Sequence, residues 1–174
     1  NEYLPMSNYT DITVSAVNGQ SFSLELIRLV SKVRLRFTNE SGESITLGQL
    51  TISPLTTSSV YLLPRNVSEP VFPATSSQGD FSSGFGAGYV FADGGQLEYI
   101  TYVNESKITG TGWFRIGLTT LTGNGNVSEE RISLTNLTYI NRNDYLDIPI
   151  ILTDYKLEID VVSYPPIGGY PPSV

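Results

Sequence analysis

The sequence predicts an all-β chain, an antiparallel β-sandwich of about nine strands in a single domain spanning residues 1–174. Three observations predict it. Thr, Val, Ile and Tyr are abundant while runs rich in Ala, Lys and Glu are missing, so the composition favours strands. Apolar and polar residues alternate with period two through much of the chain, the pattern of strands with one buried and one wet face. Short alternating runs are separated by turns containing Gly, Asn, Ser and Pro, with no convincing helix and no internal repeat.

Residues 1–10 (NEYLPMSNYT) are polar, contain a Pro and read as an irregular start. DITVSAV (11–17) alternates Ile12, Val14 and Ala16 and reads as a first strand, with Asn18-Gly19 turning it into a hairpin toward Phe22. The strongest signal is FSLELIRLVSKVRLRFTN (22–39). Val33, Leu35 and Phe37 alternate there with Lys32, Arg34 and Arg36, whereas Phe22, Leu24 and Leu26 have the opposite parity. The phase switch predicts a bulge or bend near residues 27–31, or two strands crossing between sheets. SITLGQLTISP carries Ile45, Leu47, Leu50 and Ile52, and its parity slip at Gly48 reads as a bulge. SSVYLLP reads as a short strand ending at Pro64.

Residues 64–96 differ in character: three Pro, six Gly and several Ser predict a long loop, with one short strand at Tyr89–Phe91. Strands resume with QLEYITYV (96–103) and GWFRIGLTTL (112–121), where Phe114, Ile116 and Leu118 share a face. ERISLTNLTYI places Ile132 and Leu134, then Leu137 and Tyr139, inward after a second slip. YLDIPIIL puts Leu146, Ile148, Ile150 and Leu152 on one face, and Pro149 on the other predicts an edge strand or a bulge. DYKLEIDVV alternates Tyr155, Leu157, Ile159 and Val161 against charged residues. The Pro/Gly-rich tail at 163–174 is incompatible with regular sheet.

Charge and chemistry narrow the function. The net charge is −7, which repels phosphate backbones and argues against nucleic acid as a partner. The basic residues Arg28, Lys32, Arg34 and Arg36 form the one local exception, and their shared parity makes them the wet face of a strand paired with acidic neighbours. The absence of Cys and His removes thiol nucleophiles, Cys/His zinc sites and His-based triads. No run approaches the ~20 apolar residues of a spanning helix, so membrane association is expected only through a lipid anchor upstream of residue 1.

Carboxylate pairs such as Asp93 with Glu98, or Glu129 with Glu130, read as solvated acids rather than a glycosidase pair. Asp80 and Asp93 lie in Gly-containing loops, but neither has a calcium-loop spacing, and no cofactor signature is present. Six Asn-x-Ser/Thr sequons, at Asn8, Asn39, Asn66, Asn104, Asn126 and Asn136, read mostly as turn residues. Aromatic residues are the better functional lead. Trp113 together with Tyr89, Tyr99, Tyr102, Tyr164 and Tyr170 could supply stacking contacts to a glycan or a partner strand. Trp113 also reads as core or rim at a strand start, whereas Tyr164 and Tyr170 sit in a tail with little core to enter.

Two stretches resemble a known family. LIRLVSKVRLRFTNES, continuing through ITLGQLTISPLTTSSVYLLP, resembles the amino-terminal core of Bacteroidetes fimbrillins. YINRNDYLDIPIILTDYKLEIDVVSYPPIGGYP is similar to the carboxy-terminal part of fimbrillin-like and Mfa-like anchor or accessory proteins. The resemblance implies a transthyretin-like, Greek-key sandwich, export as a lipoprotein, and a non-enzymatic place in a cell-surface fimbria at the outer membrane. It also implies fimbrial subunits as partners through strand exchange, following cleavage by an arginine-specific protease. No Lys or Arg precedes Arg28, which makes Arg28 the candidate maturation site within this sequence. The shortness of the chain shifts weight to an accessory, tip or anchor role, with host or bacterial glycans or surface proteins as further partners. The alternative is a surface carbohydrate-binding module of a glycan-utilisation system, using Tyr102 and Trp113.

Overall fold

The computed structural model describes residues 4–7, 12–16, 18–23, 26–63, 69–121, 127–153 and 156–159. Twelve strands are formed among them: β1 (Met6–Ser7), β2 (Ile27–Arg28), β3 (Val30–Asn39), β4 (Ile45–Thr56), β5 (Gln78–Phe91), β6 (Gln96–Asn104), β7 (Ser106–Lys107), β8 (Phe114–Leu121), β9 (Val127–Leu134), β10 (Tyr139–Ile140), β11 (Tyr145–Thr153) and β12 (Lys156–Ile159). Two four-stranded sheets, β12-β11-β3-β6 and β5-β4-β8-β9, make an all-β sandwich, and the pairs β1-β2 and β10-β7 sit beside them.

Alternation decides which side chains fill the space between the sheets. Val33, Leu35 and Phe37 from β3 meet Leu146, Ile148, Ile150 and Leu152 from β11, all buried on the inner face of one sheet. Ile45, Leu47, Leu50 and Ile52 from β4, with Phe114, Ile116 and Leu118 from β8, supply the facing layer. The parity slip read at Gly48 is a register shift, displacing both the β5 and the β8 ladders between Leu47 and the following residues. That shift keeps Leu47 and Leu50 both inward despite their odd spacing.

One pairing departs from a purely antiparallel sandwich. β3 and β11 run parallel, Lys32 beside Tyr145 through Asn39 beside Leu152. The turn before β11 fixes this direction: Asn143 N–H donates to Val30 O at 3.1 Å and Lys32 N–H to Asp144 O at 2.9 Å, so β11 starts beside the start of β3. β11 is consequently internal rather than an edge. The described β12 ladder ends at Ile150, so Pro149 falls where β11 has only β3 as a described neighbour, and its missing N–H disrupts no β12 pairing seen here.

Other segments correct the sequence reading. Residues 12–16 form no strand, and Ile12 and Val14 are exposed; the turn at Asn18-Gly19 exists, but Phe22 and Leu26 beyond it are exposed too. The phase switch, by contrast, is met as read: the chain bends at Leu29 between β2 in one sheet and β3 in another, and Ile27, Leu29, Ser31 and Val33 keep one inward parity. Residues 58–63 are a strap rather than a strand, since the Tyr61 and Leu62 carbonyls accept from Arg142 instead of from a ladder. The segment read as a loop at 64–96 contains the 14-residue strand β5. Phe81 and Phe85 there pack against the core, and the Ser and Gly residues between them sit on an edge strand that needs little side-chain packing. Tyr139 points outward while Leu137 and Ile140 are buried, because a turn at residues 135–136 resets the phase.

Buried Asn39 ties two inter-sheet turns together. Its Nδ2 donates to Glu43 O and to Phe91 O, both at 2.9 Å, and its Oδ1 accepts from Ser41 N–H at 3.1 Å. Gly94 N–H and Asn39 N–H complete the clamp through Asn39 O and Gly95 O. A Cβ at Gly95 would lie 2.7 Å from Ala92 O, so that turn admits no larger residue without shifting. The amides of Asn39 and Asn104, two of the sequon residues, thus serve backbone carbonyls.

Candidate functional site

Three regions carry the side chains singled out from the sequence. The first is the wet face of β3. Lys32, Arg34 and Arg36 sit between outward residues of β6 and β11, so register brings each cation beside an acid or an aromatic ring. Arg34 Nε donates to Glu98 Oε2 at 2.6 Å, Arg36 Nε to Asp147 Oδ1 at 2.7 Å, and Lys32 Nζ lies 4.8 Å from the Tyr145 ring centre. The bond to Glu98 raises the Arg34 guanidinium further above its ordinary range. Arg34 and Arg36 are thus paired with acids on a strand face as expected, whereas Lys32 meets a ring and Arg28 lies on β2 rather than on this strand.

The second region is the approach to β3. β1 and β2 share a ladder of only two residue pairs, Met6 with Arg28 and Ser7 with Ile27, extended by Leu29 N–H donating to Pro5 O at 2.8 Å. Arg28 is exposed at this junction, one residue before the bend into β3. The Ser7 hydroxyl donates to Leu62 O, and the same carbonyl accepts from Arg142 Nη1 at 3.0 Å. Arg142 is 1% exposed and holds equally buried Glu105 through Nε at 2.9 Å and Nη2 at 2.5 Å. A buried, bidentate ion pair therefore anchors the Tyr61–Leu62 strap, and through the Leu62 carbonyl that strap also holds Ser7. Nothing in the local sequence around Arg142 signals that it is core.

Beside it, Asp144 is buried in the turn at residues 141–144. Its Oδ2 accepts from Asn141 N–H at 2.8 Å, yet desolvation outweighs that bond and pushes its carboxyl up to about 6. Asn143 takes a left-handed conformation (φ 63°), which lets the turn close.

The third region is aromatic. Trp113 is 43% exposed immediately before β8, with its neighbour Phe114 fully buried. It lines a cleft of about 470 Å³ together with Tyr139, Ile108 and the Gly110–Gly112 turn. The Lys107–Glu69 ion pair, Nζ to Oε1 at 3.0 Å, lies at the same cleft, and Thr111 and Thr138 add hydroxyls. Tyr102 is 44% exposed on β6 but borders a different depression, beside Asp80 and Phe81. Tyr89 and Tyr99 join neither: both contact Phe85, at 6.1 and 5.8 Å between ring centres, in a cluster that reaches Phe37. The structure thus divides the tyrosine set, and Tyr164 and Tyr170 lie outside the described residues, as does the tail at 163–174.

The carboxylates weighed as catalytic pairs have other partners. Asp93 accepts from Gly42 N–H, Glu98 holds Arg34, Glu129 holds Arg131, and Glu130 accepts from Ser128. Among the described residues, no three acidic side chains converge as a metal site would require.

No family model and no curated protein matches the chain. Among solved structures it is similar to a candidate cell adhesion protein of Parabacteroides distasonis, with 17% identity and a TM-score of 0.56 over 84% of this chain and 48% of that one. It also aligns with candidate cell adhesion proteins of Bacteroides ovatus (9% identity, TM-score 0.49, 86% and 48% of the two chains) and Bacteroides uniformis (10%, 0.39, 82% and 51%). The chain spans about half the length of each of these structures. At such identities the likeness is one of fold, and the first of the three carries it.

Proposed function

We propose that this chain is part of a bacterial cell-surface adhesion protein, a fimbrillin-like tip, anchor or other pilus-accessory subunit that associates by β-strand complementation. The observation that carries the reading is residues 12–16. They alternate Ile12, Val14 and Ala16 as a strand should, yet they pair with no described strand, and Val14 is 74% exposed. A segment with strand patterning and wet apolar side chains has the properties of a donor: its main chain can extend a neighbour's sheet while alternate side chains fill a groove. The fold shared with a candidate adhesion protein of P. distasonis supports the same reading.

Arg28 supplies the maturation step in this proposal. Hydrolysis after Arg28 opens the acceptor: it frees the two-pair β1-β2 ladder and everything before it from one subunit, and the vacated edge takes residues 12–16 of an uncleaved neighbour, while β3 stays held between β6 and β11. Lipid anchoring at the outer membrane follows from the same reading. The test uses the full chain with an arginine-specific protease, followed by light scattering and capture of a synthetic peptide of residues 4–23. Cleavage at Arg28 should create a species that binds the peptide, and a Val14→Asp peptide should bind at least tenfold more weakly. A chain that stays monomeric and takes up no peptide after cleavage sinks the proposal. That outcome is the one expected of a carbohydrate-binding module in a glycan-utilisation system.

A further inference from the structure

We infer that the cleft between Trp113 and Tyr139 binds a neutral saccharide and is the ligand site of the adhesive role; the inference deepens that reading and rests on it for biological meaning.

The argument begins with two aromatic side chains that the fold turns outward. Strand alternation requires Trp113 to face away from the sandwich once Phe114 is fully buried. Tyr139 is likewise turned out between buried Leu137 and Ile140. Both rings leave apolar area in water at one cleft, which singly exposed residues do not. The backbone keeps the space in front of them open. Gly110 is left-handed (φ 84°), and a Cβ at Gly112 would touch nothing within 4 Å.

The walls are fixed rather than improvised. Tyr139 pairs with Lys107 across the β7-β10 ladder, Ile108 N–H donates to Thr138 O at 3.0 Å, and Gln78 Nε2 donates to Lys107 O at 2.5 Å. Pre-set walls lower the ordering cost of binding.

The polar groups select the ligand class. Glu69 and Lys107 are partly exposed and neutralise each other, so the cleft offers a strong acceptor and a strong donor with little net field. An anion would meet an already partnered ammonium on a chain of net charge −7. A sugar ring matches instead: its C–H face suits Trp113 or Tyr139, and its hydroxyls suit Glu69, Lys107, Thr111 and Thr138. A volume of about 470 Å³ lies within the small-ligand range and fits a short stretch of glycan rather than a folded partner.

The single tryptophan of the chain is in this cleft, so its fluorescence reports the site directly. The full chain is titrated with neutral gluco-, manno-, galacto-, xylo- and N-acetylglucosamine oligosaccharides, with sialylated and sulfated ones and a proline-rich peptide as comparators. One neutral class should shift Trp113 emission saturably and protect it from acrylamide. By calorimetry, Trp113→Phe and Tyr139→Ala should weaken that binding at least tenfold and Glu69→Gln at least threefold, while Tyr102→Ala, outside the cleft, leaves it within twofold. Unchanged emission across the neutral panel, a response to the peptide or the anionic sugars alone, or binding indifferent to Tyr139→Ala overturns the inference. Each variant is checked for an unchanged melting profile, and the wild-type titration stands without any variant. A chain that captures the 4–23 peptide but ignores saccharides sinks this site alone; one that binds saccharide without taking up the peptide sinks the assembly proposal alone.

Discussion

Residues 12–16 and residues 33–37 are written in the same alternating pattern, and the fold treats them oppositely. Val33, Leu35 and Phe37 are 3%, 0% and 1% exposed, whereas Ile12 and Val14 are 47% and 74% exposed. The difference lies in neighbours rather than in local propensity. β3 has β6 on one side, β11 on the other and β4 and β8 across the core, while the earlier segment has no described strand beside it. Alternation states that a segment can be half buried; only a partner surface makes it so. In β3 that surface is in the same chain, and for residues 12–16 the proposal places it in another.

The largest test of this contrast compares matched truncations. Phe37→Ala removes a ring that packs within the core and against Phe85 at 6.3 Å, and should cost about 3–5 kcal/mol in denaturant unfolding. Val14→Ala should stay within about 0.5 kcal/mol in the isolated chain. A large cost at Val14 would mean that the segment is already docked on its own domain.

Next is the link between the two regions. Arg142→Ala leaves Glu105 charged and buried and frees the Leu62 carbonyl that Ser7 shares, so it should cost about 3 kcal/mol. The double variant Arg142→Met with Glu105→Leu should recover most of this loss, because no unpaired charge remains. Proteolysis at Arg28 should accelerate in Arg142→Ala, as the strap that holds Ser7 loosens. Unchanged cleavage would show that the first residues are held independently of the buried pair.

The pH dependence of the β3 start comes third. The Asp144 carboxyl titrates near 6 in the folded chain and near 3.8 when unfolded, so folding favours its protonated form. Its contribution is fully present below about pH 4 and is lost as pH rises through 6, a change of about 2–3 kcal/mol. Asp144→Asn keeps the acceptor for Asn141 N–H and should be less pH-sensitive than the wild type across that window. Equal slopes for the two proteins between pH 4 and 7 would rule out the desolvated carboxyl.

These tests also mark what was legible from the residues. The inward faces of β3, β8 and β11 were readable because each repeats an apolar residue at every second position between two neighbours. The wet stripe of β3 was readable as paired charge because net charge and parity agreed. β5 was legible only at its end, Tyr89–Phe91, since its Ser and Gly residues mimic a loop and Phe81, Phe85 and Phe91 are widely spaced along its inner face. Of the aromatic cleft, Trp113 stood out by type, but Tyr139 was assigned inward because the turn at 135–136 resets a phase that local counting carries through. The Glu69–Lys107 and Arg142–Glu105 pairs join residues far apart in sequence, where no spacing rule operates.

The smallest expected effect concerns the outer face of β3, the side of that strand turned toward water. Arg36 and Asp147 meet at 2.7 Å with side chains 48% and 22% exposed, so water screens much of their attraction. Arg36→Gln should cost less than about 1 kcal/mol, and less again at ~1 M salt, where the screening length falls to about 3 Å. The comparison is best made by urea unfolding at low and high salt, with Phe37→Ala measured alongside. The Arg36 deficit should shrink with salt while the Phe37 deficit does not, since the ring buries apolar area and carries no charge. A salt-insensitive Arg36 deficit of several kcal/mol would instead mean that its aliphatic stem packs over β11, and that the stripe is as much a packing surface as a charged one.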